Sequence, residues 1–141
     1  MNERQTITFQ PIGHVENDVT EMLPPEEIAS RRSRIVIHPS LAEGLLGIEE
    51  SERLLIVYYF DRAQQVRMQL HPRDDESRPL RGVFATRTQY RPNPIGVTVA
   101  RLLAVEDNVL VVEGLDAMSG TLVLDVKPFA PAFDTPDQAG A

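Results

Sequence analysis

Arg87 and Arg91 stand four residues apart in RTQYRPNPIG, residues 87–96, with Tyr90 between them and Asn93 set between Pro92 and Pro94. A guanidinium is a planar, permanently charged fork that matches carboxylate and phosphate oxygens in pairs of hydrogen bonds. The asparagine amide both donates and accepts. The two prolines fix their own φ and bias Arg91 and Asn93 toward extended backbone, so ordering this loop costs less entropy than ordering a flexible one. Gly96 lets the chain turn, or lets another group approach closely. Two readings follow from these residues alone: a rigid loop that presents arginines to an anionic or planar partner, and a stiff crossover whose arginines are merely solvated.

The second stretch with chemical potential is GLDAMSGT, residues 114–121. Asp116 at a strand end can accept hydrogen bonds from a ribose diol or an amine; it can equally close an Asx-turn on its own backbone. Asp125 and Lys127 lie two apart and so share one strand face, where they line a pocket or form an ion pair of small value. His14, His38 and His71 are scattered and lack metal-ligand spacing, so no metal is expected. The absence of cysteine excludes disulfides, thiolate chemistry and cysteine-bound zinc. Neither GxGxxG nor a P-loop occurs, and no hydrolase motif is present.

The elements that must position these residues read as mainly β. RLLIVYYF (53–60) is the best central strand, and the alternating QQVRMQL (64–70) is expected to fold back on it as a hairpin. Further strands are expected at 6–15, interrupted by Pro11 and Gly13, and at 33–39, 81–87 and 120–129. GVTVARLLAVE and VLVVEGL flank Asp107-Asn108, a hairpin signal. Residues 40–50 can hold a short helix, with Ser40 as cap and Glu43 three residues on. About seven strands without βαβ alternation point to a barrel or sandwich rather than a doubly wound nucleotide fold. The 141 residues fit one domain with a real core, frayed at residues 1–5 and 135–141. No apolar run is long enough to span a membrane, and the first residues do not resemble a signal peptide, which favours a cytoplasmic location.

Net charge is −7, unevenly spread: residues 1–30 carry −5, residues 31–101 carry +4 and residues 102–141 carry −6. Every basic residue in the middle segment is arginine. An RNA partner would require those arginines to gather on one face, for which Arg31, Arg32 and Arg34 are the sequence candidates.

Taken together, GVFATRTQYRPNPIGVTVARL followed by VEGLDAMSGTLVLDVKPF resembles the TsaA/TrmO (YaeB-like) family. PIGHV and GIEESERLLIVYYFD fit the same pattern in the same order, and the resemblance covers residues 9–134. It implies a closed seven-stranded β-barrel with short helical turns, a non-Rossmann methyltransferase that uses S-adenosylmethionine and works as a homodimer with the cofactor near the subunit interface. The activity implied is N6-methylation of threonylcarbamoyladenosine in tRNA, next to the anticodon. Cofactor contacts would fall on Phe60, Asp61, Arg87, Val97 and the loop Asp116, Ala117, Met118 and Ser119. Arg91 and Asn93 would position the acceptor, and Asp116 or Asp61 would serve as the base. The chain departs from the family pattern at Asp61 (usually His), Ser119 (usually Asp), Leu122 (usually Pro) and Phe129 (usually Tyr). Glu52 and Arg53 stand where Ser-His is common, and residues 20–34 lack the family's Pro-, Arg- and Gln-rich cofactor segment. Those departures keep two alternatives in view: the same fold acting on a small-molecule acceptor, and a non-catalytic barrel that binds the cofactor or RNA.

Overall fold

A computed structural model of the chain describes residues 3–19, 23–63 and 65–135. Eight strands run through them: β1 (Gly13–Glu16), β2 (Arg32–Ile37), β3 (Arg53–Tyr59), β4 (Gln69–Leu70), β5 (Arg81–Gly82), β6 (Ile95–Glu106), β7 (Val109–Glu113) and β8 (Leu122–Pro128). Two short helices, α1 (Pro25–Ala29) and α2 (Pro131–Asp134), lie outside the sheet. Six strands close into an antiparallel barrel in the order β1-β2-β7-β6-β3-β8, and β4 pairs only with β5.

Period-two alternation builds the barrel core. In β3, Leu54, Ile56 and Tyr58 point inward and are almost fully buried. They meet Val15, Ile35 and Ile37 from the β1–β2 side, Leu110 and Val112 of β7, Ala100 of β6 and Val123 of β8. The outward residues of β3 are Arg53, Leu55, Val57 and Tyr59, of which Leu55 and Val57 are half-buried. A barrel strand that is apolar on both faces leaves apolar surface on the outer wall, and Leu55 is the part of it that floors the groove described below.

The barrel has six strands, not the expected seven, because two segments expected as strands stay out of it and a third joins it only at its end. Residues 64–70 do not return against β3, whose two edges are already taken by β6 and β8. Only Gln69–Leu70 forms a strand there, and Gln64 lies outside the described residues. The expected strand 81–87 stops at Gly82 and becomes a 3-10 turn, Val83–Ala85. At the N-terminal end the ladder begins only at Gly13, past the proline that cannot donate to it. Gly13 is itself required, since a Cβ there would collide with the Val36 carbonyl of β2.

The hairpin expected at Asp107-Asn108 forms between β6 and β7, with Glu106 opposite Val109 and Asp107 at φ 55°. Asn108 also ties the turn to β2: its side chain donates to the Ile37 carbonyl at 2.6 Å. Residues 39–45 and 48–50 are 3-10 turns rather than an α-helix. His38, not Ser40, caps the first of them, its ring nitrogen accepting from the Ser40 N–H. Of the ends expected to fray, residues 1, 2 and 136–141 lie outside the described residues, as do 20–22 of the divergent segment 20–34.

Candidate active site

An open groove of about 820 Å³ runs over the outer face of β3 and β6. Its floor is Leu55 of β3 with Val97, Thr98 and Val99 of β6, and Phe129 and Phe133 add aromatic surface at one side. Charged groups ring this apolar floor: Arg73 and Arg87 against Glu26, Asp116 and Asp134. A few polar groups converging on an apolar concavity of this size are typical of a small-molecule site.

The loop 86–96 is held from within. Arg91 Nη1 donates to the carbonyls of Thr86 and Thr88, at 2.9 and 3.1 Å. The Pro94 carbonyl accepts from Phe60 N–H at 2.7 Å, and Arg67 stacks over the Tyr90 ring at 4.3 Å. Both sequence readings of RTQYRPNPIG therefore apply to different residues of it. Arg91 braces the turn, whereas Arg87 reaches the groove, where its Nη2 donates to the Val97 carbonyl at 2.7 Å.

Gly96 is the close-approach position. A Cβ there would lie 2.6 Å from ring atoms of both Phe60 and Tyr58, which pack edge to face with centroids 5.5 Å apart. Tyr58 carries this packing toward the groove. Its hydroxyl is 2.8 Å from Thr98 Oγ1 and donates to the Asp116 carbonyl at 2.9 Å. Burial pushes its pKa up to about 12, so it stays a neutral donor. Asp116 is thus positioned by its backbone while its side chain faces the groove. Burial raises its carboxyl pKa, and the negative charge of Glu26 raises it further.

The rest of the loop 116–119 is turned to a structural task. Asn17 Nδ2 donates to the Ala117 carbonyl at 2.8 Å and to Ser33 Oγ at 3.0 Å. Ser119 Oγ accepts from Asn17 N–H, and Ser119 N–H donates to the Val19 carbonyl. Ala117 is buried, and neither Met118 nor Ser119 lines the groove.

Of the residues singled out in the sequence, the groove therefore gathers Arg87, Val97 and Asp116. Phe60 supports the groove from behind through Tyr58. Asp61 is exposed just past β3 and does not line the groove. Arg91 and Asn93 open instead onto a second depression of about 760 Å³, with Val66, Met68 and Phe84. Sequence reading missed Leu55, Thr98, Val99 and Phe133, as well as Glu26 and Arg73. The signal for Leu55 and Val99 is the outward apolar register of β3 and β6, whereas Thr98 stands opposite the inward Ile56 and bonds Tyr58. Arg73 sits in a turn with φ 58° that no local pattern announces. Asp125 and Lys127 form the exposed ion pair, at 2.9 Å, rather than lining the groove. Among the described residues no His, Asp or Glu group could hold a metal, and no helix is long and apolar enough to cross a membrane.

A small closed barrel with a cofactor-sized groove on its outer wall, and no glycine-rich phosphate loop, defines a non-Rossmann class of ligand-binding barrel. Residues 21–135 match the tRNA-methyltransferase O N-terminal domain, and the chain belongs to that family. It is 39% identical over 133 residues to an S-adenosyl-L-methionine-binding protein of Archaeoglobus fulgidus, covering 92% of this chain and 94% of that one. It is 29% identical to a rat tRNA (adenine(37)-N6)-methyltransferase, covering 95% of this chain but 33% of the relative. The crystal structure of TrmO from Pseudomonas aeruginosa superposes with a TM-score of 0.75 at 31% identity, covering 94% of this chain and 58% of that one. The chain thus spans nearly all of the archaeal relative and only part of the others.

Proposed function

We propose that the chain is an S-adenosylmethionine-dependent methyltransferase that binds its cofactor in the β3–β6 groove and methylates N6 of threonylcarbamoyladenosine in tRNA. The observation that carries this reading is the convergence of Arg87, Val97 and Asp116 on one apolar-floored groove in a chain of this family. The residues fit the cofactor's chemistry. Leu55, Val97, Val99 and Phe129 offer apolar surface to a purine, Arg87 a partner for a carboxylate, and Asp116 an acceptor for hydroxyls or an amine. Three carboxylates against two arginines leave the lining net negative, which suits a ligand carrying a sulfonium and an ammonium group.

When bound, S-adenosylmethionine supplies an electrophilic methyl group, which leaves the protein to orient and shield. The acceptor nitrogen is urea-like and a poor nucleophile until it loses its proton. Of the two carboxylates considered as the base, Asp116 faces the groove and Asp61 does not. A raised pKa makes Asp116 a stronger base than an ordinary carboxylate. Arg87 and the Tyr58 hydroxyl fix the strand and loop on either side of it. Arg91, braced by two carbonyls, and the exposed Asn93 are the acceptor-positioning residues of this reading.

Calorimetric titration with S-adenosylmethionine tests the site. Saturable binding is expected, weakened about 10- to 100-fold by Arg87→Ala, the range for losing a hydrogen bond to a charged group. Absence of binding by the wild-type chain would remove the methyltransferase reading. The reading includes a homodimer, supported by the exposed Val66, Met68 and Phe84 of the second depression. Phe84→Asp is expected to shift the sedimentation coefficient from dimer to monomer, and a wild type that is already monomeric would exclude the assembly.

A further inference from the structure

The outer face of the barrel carries a row of charge that neither the groove nor the packing explains. Arg32 of β2 stands opposite Glu113 of β7. Glu113 stands opposite Arg101 of β6, and Arg101 opposite Arg53 of β3. Three arginines and one carboxylate thus lie in a single row across four adjacent strands. With about 4.8 Å between strands, the row is about 14 Å long.

The arginines Arg31, Arg34, Arg67, Arg73 and Arg78 have carboxylate partners, respectively Asp18, Glu16 with Glu106, Asp74, Glu26 and Asp75. Arg87 and Arg91 are engaged with backbone carbonyls. In the row only Arg101 has a partner, Glu113 at 3.4 Å. Among the described residues, Arg32 and Arg53 form no ion pair. Like charges directly opposite one another on neighbouring strands destabilise a sheet, and Arg53 against Arg101 is such a pair. A shallow depression lies over it, lined by Arg53, Val99, Ala100, Arg101 and Glu113. Val99 also forms part of the groove floor, so depression and groove meet at one residue. Val99 precedes Arg101 by two residues on the same strand face, about 7 Å away.

We propose that Arg53 and Arg101, extended by Arg32, seat backbone phosphates of the RNA substrate and so aim a nucleotide at the groove. This inference rests on the tRNA reading above and adds to it the surface that meets the backbone. It also relocates the RNA face, since Arg31 and Arg34 are neutralised by their partners. Forked guanidinium groups at strand spacing suit phosphate oxygens. A phosphate between Arg53 and Arg101 would relieve the repulsion that the bare row carries. A net-acidic protein also needs its positive charge concentrated in this way to meet a polyanion.

Fluorescence anisotropy with a labelled tRNA transcript, titrated from about 50 to 200 mM salt, tests the row. The wild type is expected to bind with a steep salt dependence. Arg53→Ala/Arg101→Ala is expected to bind about 10-fold or more weakly, with a salt slope lower by about 1 to 2, roughly one for each phosphate that an arginine no longer neutralises. Its S-adenosylmethionine affinity should equal that of the wild type. Glu113→Gln, which removes the row's one carboxylate, is expected to tighten RNA binding. An unaltered slope and affinity in the double variant, or no RNA binding by the wild type, would overturn the proposal. Methyl transfer is measured separately, on tRNA that carries threonylcarbamoyladenosine: RNA binding that depends on the row without methylation of that tRNA would remove the methyltransferase reading and leave the row standing.

Discussion

Asp116→Asn is expected to lower single-turnover methyl transfer at saturating cofactor by about 100-fold or more, the usual contribution of a positioned general base. The amide keeps the shape of the side chain and leaves the Asp116 carbonyl free to accept from Tyr58, so the loop should stay in place. Stability should move the other way. Burial and Glu26 hold the Asp116 carboxyl above its usual pKa, so the folded state binds a proton more tightly than the unfolded chain does. The stabilising contribution is therefore fully present below the ordinary aspartate value of about 3.9, and is lost as pH rises through the folded value. Asparagine does not titrate, so the variant should lose less stability than the wild type across that window. At pH 7 it should be at least as stable. Rate measurements and chemical denaturation from pH 4 to 8 check both halves. A variant that keeps the wild-type rate would move the base elsewhere. A variant less stable at pH 7 would mean that the carboxylate has a structural partner after all.

Gly96→Ala is the second large effect. The glycine lies in β6 with no positive φ, so the cost of substitution is steric rather than conformational. The new methyl group would meet the rings of Tyr58 and Phe60 at once. Overpacking of this kind costs about 1–3 kcal/mol, visible as a lower denaturation midpoint with unchanged slope. Because the displaced Tyr58 ring also carries the hydroxyl that holds the Asp116 carbonyl, cofactor affinity should fall together with stability. A variant with the wild-type midpoint would show that the two rings can move aside freely.

How far the sequence disclosed this protein follows from the range of the interactions involved. β3 and the β6–β7 hairpin were legible because their cause is local: a nearly continuous apolar, β-branched and aromatic run over residues 53–60 and a two-residue turn at Asp107-Asn108 that a short polar pair can make. The extent of residues 64–70 was not, because what excludes them from the barrel is the prior claim of β6 and β8 on both edges of β3, a nonlocal fact. Arg87, Val97 and Asp116 were recoverable as site candidates from the family pattern. The division of labour inside RTQYRPNPIG was not, since whether an arginine faces a groove or a carbonyl depends on how the loop curls. The row Arg32–Glu113–Arg101–Arg53 is invisible in the sequence, where its members lie up to 81 positions apart; register alone aligns them.

The join between β1 and β8 is the shortest in the barrel, only two residue pairs, Gly13 with Val123 and His14 with Leu122. Beyond it, β8 runs on to Pro128 with β3 on one side only among the described residues. A free strand flank of this kind invites another chain to add to it, the first step of edge-to-edge aggregation. The residues along it are those that discourage such addition. Asp125 and Lys127 put charge on the flank, Asp125 Oδ1 takes up the Val126 N–H at 2.9 Å, and Pro128 has no N–H to offer. An ion pair that adds little to folding thus serves as a gatekeeper, keeping the seam of the barrel from becoming a template for other copies.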